Sequence, residues 1–233
     1  MSKIISFSGT LGAGKDTAAD VCCEIAASMG LAAEKFSFAA EVYREIARAF
    51  SVTVARLQVR ETKETPVPWL TLSACENKDY PEVALKTISA WRVRDGLEPI
   101  DMDTPLSPRE VLRSWGTEFR RESRFGHVNY WVDFVDQQMH ESPDIDLWLC
   151  SDARLDNEHG LLAQRDACFV RINATHLPEN DEDFETLHAS DSKWRKWDFD
   201  QVILYDFADR DQFRADLEAI CNEKLCDRPS LSV

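Results

Sequence analysis

Short apolar runs alternate with helix-period segments along the 233-residue chain. Ile4-Ile5-Ser6-Phe7 reads as a buried strand. Ala33 to Ala39, Ile145 to Cys150, Cys168 to Ile172 and Phe199 to Tyr205 read as four more. Between them, Ala18 to Met29 reads as a helix closed by Gly30. Glu41 to Phe50 carries an apolar stripe of Val42, Ile46, Ala49 and Phe50. Glu82 to Val93, Asn129 to Met139, Leu155 to Arg165 and Asp211 to Cys226 are further helical segments. Ser107-Pro108-Arg109-Glu110 is a helix start, with Ser107 as N-cap, Pro108 in the first position and Glu110 completing a capping box. Strand and helix alternate, which predicts an α/β fold: a mostly parallel sheet with helices on both faces. Residues 51–107 break the pattern with Pro66, Pro68, Pro81, Pro99 and Pro105, and read as a substrate-side insertion within one domain spanning 1–233. The acidic stretch 173–197 reads as a lid, and 227–233 as a loose tail.

The first strand runs into Gly9-Thr10-Leu11-Gly12-Ala13-Gly14-Lys15-Asp16-Thr17 and then a helix. Strand, glycine loop, lysine and helix are the parts of a phosphate-binding P-loop. Glycines let successive backbone N–H groups turn inward on an anion, and the helix start adds unpaired N–H groups and a positive dipole end. Lys15 then reaches the outer phosphates. The fit to G-x-x-x-x-G-K-S/T is imperfect. Asp16 takes the hydroxyl position and Thr17 follows it, the variant found in nucleoside monophosphate kinases. The fold class expected is therefore a P-loop NTPase three-layer sandwich with a small substrate and lid region. A glycine-rich turn with a solvated lysine is the bland alternative.

Composition narrows the partners. The chain is 44% hydrophobic, enough for a sizeable core, and its formal net charge is −15. That balance argues against a standing interface with nucleic acid, but not against a small phosphorylated ligand held by local arginines. No apolar run approaches the roughly 18 residues of a membrane span, and the first strand begins at once, so a cytoplasmic protein is expected. Seven cysteines, Cys22, Cys23, Cys75, Cys150, Cys168, Cys221 and Cys226, have no metal-site spacing and read as reduced core residues.

Arg109, Arg113, Arg120, Arg121 and Arg124 form a dense cluster in an otherwise acidic chain. Forked guanidinium groups suit bidentate phosphate recognition, which makes this a candidate anion site. The alternative is a solvated helix whose arginines pair with Glu110, Glu118 and Glu122. Asp152 follows an apolar strand downstream of the loop, where a carboxylate working with Mg²⁺ is expected, and Arg154 lies two residues on. Asp152 could instead only cap the helix starting near Asn157. Tyr43 and Arg44 begin the helix after the second strand and either face a substrate or are surface groups. His188 reads as structural or surface-borne.

Several stretches together resemble the bacteriophage-type deoxynucleoside monophosphate kinases. They are SGTLGAGKDTAAD from Ser8, Phe36-Ser37-Phe38-Ala39, RETKE from Arg60, SPREVLRSWGTEFRR from Ser107, Trp131, SDARLDNE from Ser151, Val170-Arg171 and HASD from His188. The resemblance covers most of the chain outside about 65–106. It implies transfer of the ATP γ-phosphoryl group to a deoxynucleoside 5′-monophosphate, with Mg²⁺, in the host cytoplasm of a phage-infected cell. By resemblance, Gly12, Ala13, Gly14, Lys15, Asp16 and Thr17 hold the ATP phosphates, and Arg171 falls on the adenine or lid side. Lys15, Arg154 and Asp152 are the catalytic set, with Thr17 and Asp152 nearest Mg²⁺. Phe38, Arg44, Arg109, Arg113, Arg121 and Trp131 fall on the acceptor side. The chain departs from relatives in placing Tyr43-Arg44 where they often carry one lysine, and in ending the lid motif in Asp191. Small-molecule nucleotides are the expected partners, with a homodimer left open. A kinase of hydroxymethylated bases in DNA, another small-molecule P-loop kinase and a nucleotide-binding regulator remain as alternatives.

Overall fold

A computed structural model describes residues 2–177 and 193–226. The chain packs as two compact units, one formed by 1–38 with 135–233 and the other by 39–134. The first unit is built on a five-stranded, all-parallel sheet in the order β2-β3-β1-β4-β5. Its strands are β1 (Lys3–Ser8), β2 (Ala33–Phe36), β3 (Leu147–Cys150), β4 (Cys168–Ala174) and β5 (Gln201–Tyr205). Ile5 lies opposite Leu149 of β3 and Cys168 of β4, so β1 is central. The strand order reverses there, and in open α/β sheets ligands collect at the carboxyl ends of strands at such a point.

Each face of the sheet buries a different set of side chains. Ile5, Phe7, Leu147, Leu149, Val170 and Ile172 pack against α1 (Lys15–Ser28) and α8 (Arg210–Cys226), through Ala18, Cys22, Ile25, Leu217 and Cys221. Ile4 and Trp148 point to the other face, as the two-residue period of a strand requires. On that face His159 of α7 (Asp156–Gln164) stacks on Phe169, with ring centroids 4.3 Å apart. Helices therefore cover both faces, as the alternation of elements predicts.

The second unit has its own core. It holds α2 (Ala40–Ala49), α3 (Val54–Gln58), α4 (Tyr80–Arg94), α5 (Pro108–Arg113) and the start of α6 (Tyr130–Glu141). It is thus wider than the irregular segment 51–107, and that segment carries two helices of its own. The Ser107–Glu110 capping box forms: Ser107 Oγ accepts from Glu110 N at 3.2 Å, and Glu110 accepts from Ser107 N at 2.8 Å. After α5 the helix does not keep its expected pitch. Ser114–Glu122 is π-helical, with wider turns.

Two buried contacts accompany that change of pitch. Ser114 Oγ donates to the Glu110 carbonyl at 2.9 Å and lies 2.6 Å from the Tyr80 hydroxyl, which then must be the donor between the two. Trp131 Nε1 donates to the Gly116 carbonyl at 2.8 Å. Aromatic rings pack around the segment, with Tyr80 and Trp115 at 4.5 Å and Trp115 and Phe119 at 5.0 Å. Glu45 closes the cluster by accepting from Trp115 Nε1, Arg120 Nε and the Tyr130 hydroxyl. Burial, together with the Glu45 carboxylate, pushes the Tyr130 phenol up to about 12.

No helix among the described residues is long and apolar enough to cross a membrane. The six described cysteines carry free thiols, and burial pushes Cys75 and Cys168 up to about 11, as inert core residues require. Gly126 abuts the end of the π-helical segment so closely that a Cβ there would lie 2.0 Å from the Arg120 carbonyl oxygen. Gly126→Ala is expected to destabilise the second unit by about 3 kcal/mol, read as a lowered midpoint in urea unfolding; an unchanged midpoint would contradict this account of the turn.

Candidate functional site

The loop Gly9–Gly14 lies at the carboxyl end of β1 and is shaped by what its glycines touch. A Cβ on Gly9 would sit 2.5 Å from the Ile172 carbonyl oxygen of β4. Gly12 and Gly14 have φ of 83° and 95°, a backbone region that disfavours side chains. Gly14 also lies under the Tyr205 ring, whose carbons would be 2.8 Å from an added Cβ. Tyr205 is held by stacking on Phe213 of α8, with centroids 3.8 Å apart. Ala13 is buried, and its N–H closes a turn onto the Thr10 carbonyl at 3.2 Å.

Helix α1 begins at Lys15 without a side-chain cap, and its first helical bond is Ala18 N to Gly14 O. The N–H groups of Lys15, Asp16 and Thr17 precede that bond and so have no partner within the helix. They leave a start ready for an anion. Lys15 Nζ donates to the Gly9 and Thr10 carbonyls at 2.9 and 2.8 Å, folding the ammonium over the loop. Burial, joined by the positive charge of Arg154 and opposed by a smaller effect of Asp16, pulls its pKa down to about 8. Lys15 and Arg154, 139 residues apart in the chain, therefore act on one another here. Thr17 is exposed on the first turn of α1.

Two carboxylates are fixed nearby. Asp16 accepts from Ser151 Oγ at 2.5 Å. Asp152 accepts from Ser37 Oγ at 2.6 Å and from the Phe38 N–H at 3.1 Å, tying the end of β3 to the chain just beyond β2. The helix-capping alternative for Asp152 is not what forms: Glu158 accepts from the Arg154 and Leu155 N–H groups at 2.7 and 3.1 Å and closes the start of α7. Phe38 is buried, with its ring edge-on to Phe36. Arg171 donates to Asn173 Oδ1 at 2.9 Å and lies 5.9 Å from the Trp194 ring. The greater part of the expected lid, including His188 to Asp191, lies outside the described residues.

In the second unit the arginines do not form a single patch. Arg109 pairs with Glu64 at 2.8 Å, Arg120 with the partly buried Glu45 at 2.7 Å, and Arg124 with Glu82 at 2.9 Å. Arg113 lies 4.7 Å over the Trp91 ring. Arg121 is half-buried on the π-helical segment. The predicted partners Glu110, Glu118 and Glu122 are not the ones used by Arg109, Arg120 and Arg124. Glu110 instead binds Arg92, at 2.7 Å. Burial pushes the Glu118 carboxyl up to about 7, with Glu122 adding to the rise. Arg44 pairs with Glu41 at 3.1 Å, while Tyr43 takes a hydrogen bond from Lys63 Nζ at 2.9 Å. Trp131 is 1% exposed, so its ring belongs to the core and its N–H holds the π-helical backbone.

Ser37, Ser151 and Lys63 lie in stretches that carry the family resemblance but receive no role from it, and Tyr205 reads only as part of a strand. Ser151 had a readable signal, a hydroxyl between the strand end and Asp152. Tyr205 and Lys63 had none, since both act through long-range packing.

Several solved structures align with this chain. An unliganded sugar kinase from Janibacter sp. HTCC2649 aligns over 100% of this chain and 99% of that one, at 13% identity and a TM-score of 0.33. No protein-family model and no curated protein sequence matches the chain. The fold assignment rests on the parallel sheet itself.

The lowered Lys15 pKa has a measurable sign. A lysine that grips phosphate does so in its charged form, and above pH 8 the free protein loses that charge at Lys15. ATP affinity is expected to fall by about tenfold per pH unit from 8 to 9.5, measured by calorimetric titration. Lys15→Arg, which stays charged in that range, should flatten the slope. A flat profile in the parent protein would contradict the assigned role.

Proposed function

We propose that the chain is an ATP-dependent kinase of deoxynucleoside 5′-monophosphates. The observation that carries the donor half is the uncapped start of α1 behind Gly12 and Gly14, with Lys15 and Arg154 acting on one another beside it. The acceptor half is supported by the sequence resemblance and by its arginine-rich segment.

The residues of the chain have separable tasks. The N–H groups at the start of α1, on Lys15, Asp16 and Thr17, donate to the donor phosphates. Lys15 exchanges its bonds to the Gly9 and Thr10 carbonyls for phosphate oxygens, and so relieves its own desolvation. Arg154 adds a second fixed cation, which stabilises charge spreading over the transferred group. Arg171 serves the adenine or lid side. Phe38, Arg44, Arg109, Arg113 and Arg121 serve the acceptor nucleotide, and Trp131 acts from the core by fixing the Gly116 carbonyl. The acceptor phosphate is already ionised, so no strong base is needed.

Mg²⁺ needs few protein ligands when phosphates and water complete its shell. Among the described residues no group of three metal-ligating side chains forms, but the Asp152 carboxylate at the end of β3 and the exposed Thr17 hydroxyl are the oxygen donors that Mg²⁺ favours. Asp152 and Thr17 fit as the two residues that would hold it, and the ion would neutralise phosphate charge.

The test is a screen of deoxy- and ribonucleoside monophosphates with ATP and Mg²⁺, with nucleoside diphosphate as the product measured. At least one deoxynucleotide is expected to be phosphorylated, and Lys15→Ala should lower the rate by about a thousandfold or more while leaving the circular dichroism unchanged. Full activity in Lys15→Ala removes the donor assignment. A parent protein that binds ATP but phosphorylates none of the panel favours another acceptor, such as a hydroxymethylated base in DNA, or a regulatory role. The net charge of −15 disfavours the DNA acceptor.

A further inference from the structure

Three aromatic rings run outward beside the phosphate loop. Phe213 of α8 and Phe207 both stack on Tyr205, with centroids 3.8 and 4.3 Å away and interplanar angles of 16° and 25°. Two rings so placed take opposite faces of Tyr205. Phe213 and Tyr205 are each 3% exposed, whereas Phe207 is 43% exposed, so the stack begins in the core and ends in solvent. The exposed His176 ring meets Phe207 at 83°, with centroids 4.4 Å apart. The two rings make a right-angled corner that solvent reaches.

Both sides of the corner are tied to the loop. Tyr205, which carries Phe207, abuts Gly14, where an added Cβ would lie 2.8 Å from its ring. Leu177, next to His176, lies against Gly12, where an added Cβ would be 4.0 Å from its Cδ1. Ala174 stands opposite Tyr205 across β4 and β5, and the Thr175 N–H donates to the Tyr205 carbonyl at 2.9 Å, so the two strand ends are level. The corner therefore lies one ring away from the cradle, on its β5 side. The β3 side carries Ser151, Asp152 and Arg154, a polar set suited to charge rather than to a flat ring.

The chemistry of the corner selects an uncharged aromatic ligand. A single exposed phenyl ring is ordinary on a protein surface. The outer end of a stack is different, because a further π-system can add to it in the offset geometry that aromatic pairs prefer. Asp206 and Asp209 flank Phe207 in the chain, and their carboxylates accept from the Ala208 and Gln212 N–H groups, each at 3.0 Å. An anion entering beside them meets negative charge, and a neutral ring does not.

We propose that Phe207, with His176 at its side, is the stacking platform for the base of the donor nucleotide whose phosphates enter the Gly9–Gly14 loop. This rests on the donor half of the kinase reading and divides its work. The start of α1 and Lys15 hold the phosphate charge, and the end of the aromatic stack holds the base. Every base has a π-face, so stacking of this kind favours a nucleoside triphosphate over bare polyphosphate and tolerates adenine and guanine alike.

Calorimetric titration of the full-length protein and of Phe207→Ala with ATP, GTP and inorganic tripolyphosphate, each with Mg²⁺, tests this. Phe207→Ala is expected to weaken ATP and GTP by about tenfold or more, to leave tripolyphosphate within about twofold, and Phe207→Trp to keep the affinity for ATP. In the parent protein labelled with ¹³C-phenylalanine, the Phe207 ring resonances, identified by their absence in Phe207→Trp, should move with ATP and stay in place with tripolyphosphate. Unchanged ATP affinity in Phe207→Ala, equal weakening of tripolyphosphate, or ring resonances that ATP leaves in place each overturn the platform and leave the kinase reading standing. A parent protein that binds neither ATP nor tripolyphosphate overturns the donor reading and the platform with it. If Phe207→Ala does not fold, the ring resonances of the parent protein still decide.

Discussion

Backbone packed against backbone gives the phosphate loop its form. Gly9 lies where β4 presents the Ile172 carbonyl, and Gly14 lies where β5 presents the Tyr205 ring, so neither position has room for a β-carbon. The loop is therefore cast against two strands that come more than 150 residues later in the chain. Its open N–H groups, the folded-over Lys15 and the uncapped start of α1 all follow from that fit. The carboxylates are held in a similar way. Ser151 fixes Asp16, and Ser37 with the Phe38 N–H fixes Asp152, so β3 orients both sides of the cradle.

Desolvation sets the electrostatics of the cradle. Lys15 is folded onto carbonyl oxygens beside another cation, and its charge is destabilised by both burial and Arg154. A polyanion entering there relieves a cost that the free protein carries. An acidic surface is compatible with such a site because the fields that matter act over a few ångströms inside the fold, while distant surface charge is screened by salt.

The sheet was legible in the sequence because strands buried on both faces leave apolar runs, and the loop was legible because its glycines, lysine and helix follow one another in the chain. The capping box at Ser107 and Glu110 was legible for the same reason. The second unit was much less so. A π-helix has no distinct hydrophobic period in a nine-residue stretch, so Ser114–Glu122 reads as ordinary helix, and the arginines on it read as one cluster. Tertiary contacts instead send Arg109, Arg120 and Arg124 to Glu64, Glu45 and Glu82, each distant in sequence. Trp131 was open to the same misreading. Nothing in its neighbours tells a ring that meets a ligand from one that fills a core and holds the Gly116 carbonyl.

The place of β1 in the sheet has a consequence for how the chain is made. β1 leaves the ribosome well before both of its neighbours, β3 and β4, which begin only at Leu147 and Cys168. The strand that carries the loop must wait, unpaired and apolar, while the 138 residues between it and β3 are synthesised. The unit formed by 39–134 is contiguous and has its own core, so it can be complete before β3 emerges. The nascent chain then has one finished body and one exposed strand, and its vulnerability to aggregation is concentrated in the segment from Ile4 to Phe7.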